Sequence, residues 1–500
     1  MVNSYTTTRK WDLETDILVA GCGYAGAASA IFAHDAGAQV VLLEKMPNPG
    51  GISILSGGFA VICEDSKEAF TYLKHTCGGR TGDNVLSAFA EGMMWLPDFY
   101  RELVKVNGAE LVEMRHRGAT YSLPGRETFG EIYITAIPKY TGFPWITGLR
   151  GGGRLFKVLY DNLSARRISV QCGTSVRRLL TDGVGEVIGV EAHRNGKQLS
   201  IKVKKGVVLA TGGFEFDESF KDQFVQAKPL FGLYRGNTAD GIRMAQQVGA
   251  RLWHMWHVHS GYGFKYDEFP IAFRTMISGT RKPDRIMPWI LLDKQGNRFM
   301  NEYPPAIQDT SIRSLEYFDP EIQDYPRIPC YLIFDENGRG IDQIGFCPIN
   351  DPEVSYTWSK DNSAEINRGW IKRGETLSEL SRVLGLNPDL VQQSVGRWNH
   401  MCEKGKDTDF CRLPGTMVPI KEPPFYGMQA WPVVSNTQGG PEHNARQQIL
   451  NIEGKPIPRL YSVGELGSLF GHLYLEAGNI SECFVGARIA AEHAWEQGSS

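Results

Sequence analysis

An α/β fold built around a Rossmann-type dinucleotide-binding unit is predicted by two observations. A glycine turn near the amino terminus is framed by two short apolar runs, and 500 residues at 42% hydrophobic content can bury more than one core. The first run, Asp16 to Ala20 (DILVA), reads as a buried strand. GCGYAG follows at once, and AASAIFAHDAGA then suits a helix. Within the turn, Gly21 permits the tight bend, Gly23 lets the backbone approach a pyrophosphate, and Gly26 lets the helix pack close to the strand. Tyr24 and Ala25 open the helix, whose amino terminus meets the phosphates. The second strand, Val40 to Leu43, ends on Glu44, a carboxylate placed about twenty residues after the turn to bind ribose hydroxyls. A lone GxGxxG is weak; strand, turn, helix, strand and acid in that order point to a dinucleotide. FAD and NAD share this fingerprint.

Composition narrows the partners. A formal charge of -3 makes no large field for nucleic acid or an anionic membrane, so a small, mostly neutral ligand is expected. The nine cysteines stand singly, with no CxxC pair and no CxxCH haem site, which suits reduced thiols and a separate electron carrier. The amino terminus lacks an apolar signal core, and no stretch approaches the ~18 apolar residues of a membrane span. The expected location is cytoplasmic.

Several further segments carry a resemblance: KMPNPGGISILSGG at 45–58, KGVVLATGGF at 205–214, GNTADGIRMA at 236–245, GNRFMNE at 296–302 and the run from Arg459 to His493. They resemble the flavoprotein superfamily of fumarate reductase, succinate dehydrogenase and 3-ketosteroid 1-dehydrogenase. The resemblance implies FAD, with Lys45, Gly50, Gly51, Ser56, Gly57 and Gly58 in its first loop. It also implies Ala210, Thr211, Gly212 and Gly213 after a later strand, with Asn237 and Asp240 beyond them. Gly464 and Glu465 would meet the ribityl region. A helix beginning at Gly478, Asn479, Ile480 and Ser481 would point its positive end at the flavin. Some relatives attach FAD through a histidine just before the LSGG-like run; residues 46–58 contain none, so non-covalent FAD is expected. The same family places an inserted capping domain inside the FAD domain. Here that gives 1–251 as its first part, 252–421 as an α+β cap and 422–500 as the return segment.

The resemblance also bears on chemistry. Members that reduce fumarate-like diacids clamp the carboxylates with arginines and a histidine. Here the proton-donor arginine falls on Ala306, the substrate histidine on Asn436, and a third arginine is lost within HLYLEAGN. A dicarboxylate is therefore disfavoured. Tyr474, four residues before Gly478, resembles instead the tyrosine and glycine with which ketosteroid dehydrogenases hold a substrate ketone. Tyr121, in ATYSLPG, resembles a second tyrosine of those enzymes, and Tyr303 is the nearest substitute for the base tyrosine missing at 306. In RLWHMWHVHS, strand alternation sets His257 and His259 on one face; no carboxylate or cysteine nearby completes a metal set, and a role toward substrate or in packing is expected.

The expected activity is FAD-dependent transfer of hydrogen to or from a carbon–carbon bond alpha,beta to a ketone in a cyclic or steroid-like substrate, with a separate carrier or dioxygen as electron partner. Two alternatives stand beside it. One is reduction of an unsaturated carboxylate held by Arg150, Arg274 or Arg281, and the other is a non-catalytic flavin electron-transfer protein.

Overall fold

The computed structural model describes residues 10–140, 142–143, 145–146, 151–275, 285–304, 307–346, 350–351 and 353–497. Its first sheet grows from the predicted motif. Strand Leu13–Ala20 lies between the parallel strands Val40–Leu43 and Lys197–Leu209, in the order 448–450, 456–462, 197–209, 13–20, 40–43, 170–171. Strand alternation divides its side chains between two cores. Ile17, Val19 and Leu42 face one side, with residues of the helices Tyr24–Asp35, Asp83–Val104 and Gly478–Gln497; Leu18, Ala20 and Leu43 face the other, with Ile242 and Ala245. Helix Tyr24–Asp35 is made of small and apolar residues on nearly every side because it is buried against the carboxy-terminal helix as well as the sheet.

A second sheet runs in the order 290–292, 330–335, 425–437, 258–264, 273–275, 345–346. Its central strand, Phe425–Thr437, pairs antiparallel with Cys330–Asp335 on one side and Val258–Phe264 on the other. The expected boundary at 421/422 thus falls just before a strand of the second sheet, and the chain rejoins the first sheet only at Gln448–Leu450. Within the described residues, no helix is long and apolar enough to cross a membrane.

Carboxyl ends of the parallel strands meet at one edge: Ala20, Leu43, Leu209 and Ser462 are in register there. In such sheets ligands bind at that edge.

Candidate cofactor and substrate site

A cavity of about 590 Å³ opens at this edge and runs from Gly21, Glu44 and Lys45 to His259, Asn436 and Tyr474. Its near end is shaped by backbone. Gly21 has φ +99°, and a Cβ there would lie 2.3 Å from the Ala210 carbonyl oxygen; a Cβ on Gly26 would lie 1.8 Å from that of Gly21. Only glycine permits these approaches. The helix that follows has Gly23 at its cap, no acid in its first turn, and Tyr24 N–H donating to Ser53 Oγ at 3.2 Å, so its positive end faces the cavity uncompensated by charge.

Around the turn, Glu44 accepts from the Cys22 amide (Oε2, 2.8 Å) and the Met46 amide (Oε1, 2.8 Å), bonds that work against the upward push of burial on its pKa. Lys45 Nζ binds Asp240 and Thr238, each at 2.5 Å, which ties the first loop to the segment 236–245. Two buried polar atoms on the wall, Thr211 Oγ1 and Asn479 Oδ1, have no partner among the described residues. A glycine cradle, a helix amino terminus and orphaned polar atoms in one elongated cavity fit a dinucleotide such as FAD.

Most of the cofactor residues expected from sequence line this cavity: Gly21, Gly23, Tyr24, Ala25, Glu44, Lys45, Gly51, Ser56, Gly57, Ala210, Thr211, Gly212, Asn237, Asp240, Glu465, Asn479 and Ile480. Gly26, Gly50, Gly58, Gly213, Gly464 and Gly478 lie behind the wall, packed against neighbouring backbone or side chains. Ser481 Oγ accepts from the Val61 amide and donates to the Val61 carbonyl, each at 2.8 Å, and so stitches the last helix to the strand Phe59–Cys63.

Glu465 is not alone at its position. It accepts from the Thr437 amide at 3.0 Å, while Glu215, which the sequence reading did not single out, accepts from Asn237 Nδ2 at 2.5 Å, and the two carboxyls flank Gly213. Burial pushes Glu465 up to about 7 and raises Glu215 well beyond the carboxylate range, where repulsion from Glu465 adds to the effect. The pair is therefore short of negative charge at neutral pH.

At the far end, the Tyr474 ring packs on His259 with centroids 3.7 Å apart. Asn436 stands opposite His259 on the neighbouring strand and offers its ring a polar contact. Burial drives the His259 pKa down to about 3 against the pull of Asp309, so the imidazole is neutral. Arg274, Ser435 and Phe346 complete this end, and Glu131 and Glu476 also reach the wall.

The Gly478 amide, expected to meet a substrate carbonyl, donates instead to Leu475 O at 2.6 Å and closes the turn into the helix. The next amide, Asn479 N, points to the Tyr474 hydroxyl at 3.4 Å. Tyr303 is buried in the core of the second sheet with Tyr262 and Trp289, away from the cavity wall. Tyr121 and His257 also lie off the wall; both turn to Asp309, a buried carboxylate that the sequence reading missed. The one trace of Asp309 in the sequence is the Asp-x-x-x-Arg spacing to Arg313 on a helix. Ala306, Arg150 and Arg281 lie outside the described residues.

Residues 16–480 match the family described as FAD binding domain, and the chain belongs to that family. It is an FAD-dependent oxidoreductase. Among similar proteins, urocanate reductase of Eggerthella lenta is 27% identical over 503 residues, spanning 96% of this chain and 74% of the relative. Digoxin reductase of the same species is 26% identical over 524 residues, spanning 97% and 89%. In structure, 3-ketosteroid delta1-dehydrogenase from Sterolibacterium denitrificans, in complex with 1,4-androstadiene-3,17-dione, shares the fold with a TM-score of 0.81 at 22% identity, covering 97% of this chain and 100% of that one.

Proposed function

We propose that this chain adds or removes hydrogen across a carbon–carbon bond next to a ketone of a ring compound, with the second sheet, from 252 onward, capping the site. The observation that carries the reading is Tyr474 at the cavity end, its ring tilted against that of a buried, neutral histidine, His259, on the same wall. FAD, held non-covalently by the glycine turn, Glu44, Thr211 and Asn479, supplies or accepts the hydride.

The residues themselves do the polarising. Tyr474 oxygen accepts from the Asn479 amide, which leaves its O–H to donate to a substrate carbonyl. His259, kept neutral by burial, offers an N–H as the second donor, the role expected earlier of the Gly478 amide. Two donors at a developing oxyanion each stabilise it by about 3 kcal/mol, and the carbon beside the carbonyl becomes acidic. A neutral donor suits this better than a charged one, which would be matched to a carboxylate. Electrons pass to or from a separate carrier or dioxygen.

Replacing Tyr474 with Phe removes one donor and leaves the packing. We expect kcat on a cyclic enone or ketone to fall about 100-fold or more with FAD content unchanged. A panel of cyclic ketones that never reduces the bound flavin, together with matching enones that never reoxidise it, would sink the reading.

One observation favours a second substrate class. Arg274 lines the same end of the cavity as His259 and Asn436, an arrangement that could hold a single carboxylate conjugated to the double bond. Faster flavin reoxidation by urocanate or acrylate-like acids than by any enone would select it.

A further inference from the structure

Asp309 sits where three separate stretches of chain meet. Its Oδ2 accepts from the Tyr121 hydroxyl at 2.5 Å and from the Tyr474 amide at 3.2 Å. Its Oδ1 lies 3.2 Å from Arg313 Nε and 3.8 Å from His257 Nε2. His257 Nδ1 donates to the Phe470 carbonyl at 2.6 Å, and Arg313, one turn along the same helix, donates to the His472 carbonyl. The helix Ile307–Leu315 thus grips the stretch 470–474 at three points, two directly and one through His257. It also packs on the strand Val258–Phe264 that carries His259.

A carboxylate with 2% of its side chain exposed is costly unless charge and hydrogen bonds compensate it. Here two donors without charge, a guanidinium and an imidazole do so. Burial alone would push the Asp309 carboxyl up, but His257, Arg313 and the Tyr121 hydroxyl together hold it well below the usual carboxylate range. It therefore stays ionised and is unsuited to giving up a proton. Its partners, by contrast, include the backbone of the very residue whose hydroxyl faces the cavity.

We propose that Asp309 is a positioning residue: a buried anion that clamps the 470–474 stretch, and with it the Tyr474 side chain, and ties the Tyr121 loop to the same point. This rests on the reading of Tyr474 given above, but the geometry of the clamp does not need a substrate. A residue acting in this way sets the orientation of the donor and leaves substrate affinity largely alone, since small misplacements cost rate steeply.

The test is hydrogen exchange on the full-length FAD-loaded protein, comparing wild type with Asp309→Asn and Tyr121→Phe. Asp309→Asn should speed amide exchange about tenfold or more in peptides covering 469–477 and 118–123, with the rest of the chain and the FAD content unchanged. Tyr121→Phe keeps the anion and the other partners, so it should loosen 118–123 alone. On whichever substrate turns over, Asp309→Asn should lower kcat about 10- to 100-fold at near-constant KM. Unchanged exchange in 469–477, or a uniform rise over the whole chain in Asp309→Asn, overturns the proposal, as does unchanged exchange of 118–123 in Tyr121→Phe. Because exchange is read without substrate, failure of every ketone and enone would refute the reading of Tyr474 and leave the clamp separately judged.

Discussion

Burial, more than any neighbour, sets the charge of two acids, Glu482 within the last helix and Glu465 before it. Glu482 is fully enclosed, accepts from Ser468 Oγ at 2.8 Å and from the Leu469 amide at 2.6 Å, and is pushed up to about 8 from an ordinary 4.5. Glu465 shares that direction. An acid whose folded pKa is raised costs nothing below its unfolded value. Stability is then lost as pH climbs from about 4.5 through the folded pKa, because the unfolded chain ionises first. Thermal melts between pH 5 and 8.5 should therefore show a falling Tm. Glu482→Gln keeps the Leu469 bond, reverses the Ser468 one so that Nε2 donates to the hydroxyl oxygen, and should flatten that fall by at least about 2 °C; parallel slopes in the two proteins would rule the account out. Residues of this kind divide by how much of their role is local. Gly21 and Glu44 were legible because a turn and a strand end demand them within one short motif. Tyr474 was legible through its spacing to Gly478, although the role expected of the Gly478 amide was not, since spacing does not show that this amide closes a turn on Leu475. Asp309 stayed hidden because its partners arrive from residues 121, 257 and 474, which no local pattern connects to it.

Helices in the first core approach until backbone and side chain touch. Gly92, midway along Asp83–Val104, leaves room for Val485 of the carboxy-terminal helix; a Cβ there would come within 2.3 Å of Val485 Cγ1. Gly92→Leu should force that helix away from the sheet, destabilise the protein by about 1–3 kcal/mol, and release FAD at a lower temperature than wild type, read by flavin fluorescence during melting. An unchanged release temperature would show that the crossing does not support the site. Elements were more legible than their assignment to layers. The strand read at Asp16–Ala20 begins at Leu13, the one at Val40–Leu43 is as read, and the last helix starts at Gly478 as expected. The resemblance puts Phe425–Thr437 in the return segment, whereas its pairing with Cys330–Asp335 and Val258–Phe264 makes it the centre of the second sheet; an apolar run fits either sheet, and only tertiary pairing decides between them.

At the scale of the whole molecule, residues 350 and 351 are tied both to the first loop and to the segment that follows Gly232. Arg235 binds Asp351 through two bonds, at 2.5 and 2.8 Å, and Asn350 Nδ2 donates to the Gly51 carbonyl at 3.0 Å. Asp351→Ala should speed FAD dissociation about tenfold, measured by fluorescence recovery on dilution, if these contacts hold the first loop closed over the cofactor. A rate equal to wild type would mean that the glycine turn holds it unaided. The first sheet takes the two strands of one edge, and the helix that covers Tyr24–Asp35, from chain that follows the second sheet. During synthesis the phosphate turn therefore leaves the ribosome long before Glu465, Tyr474 and Asn479 have been made. Until they arrive, strand Lys197–Leu209 presents an open edge where Pro456–Ser462 will later pair. A complete cofactor site thus exists only once residues 456–479 have been made, and a nascent chain stalled within the second sheet should retain no flavin.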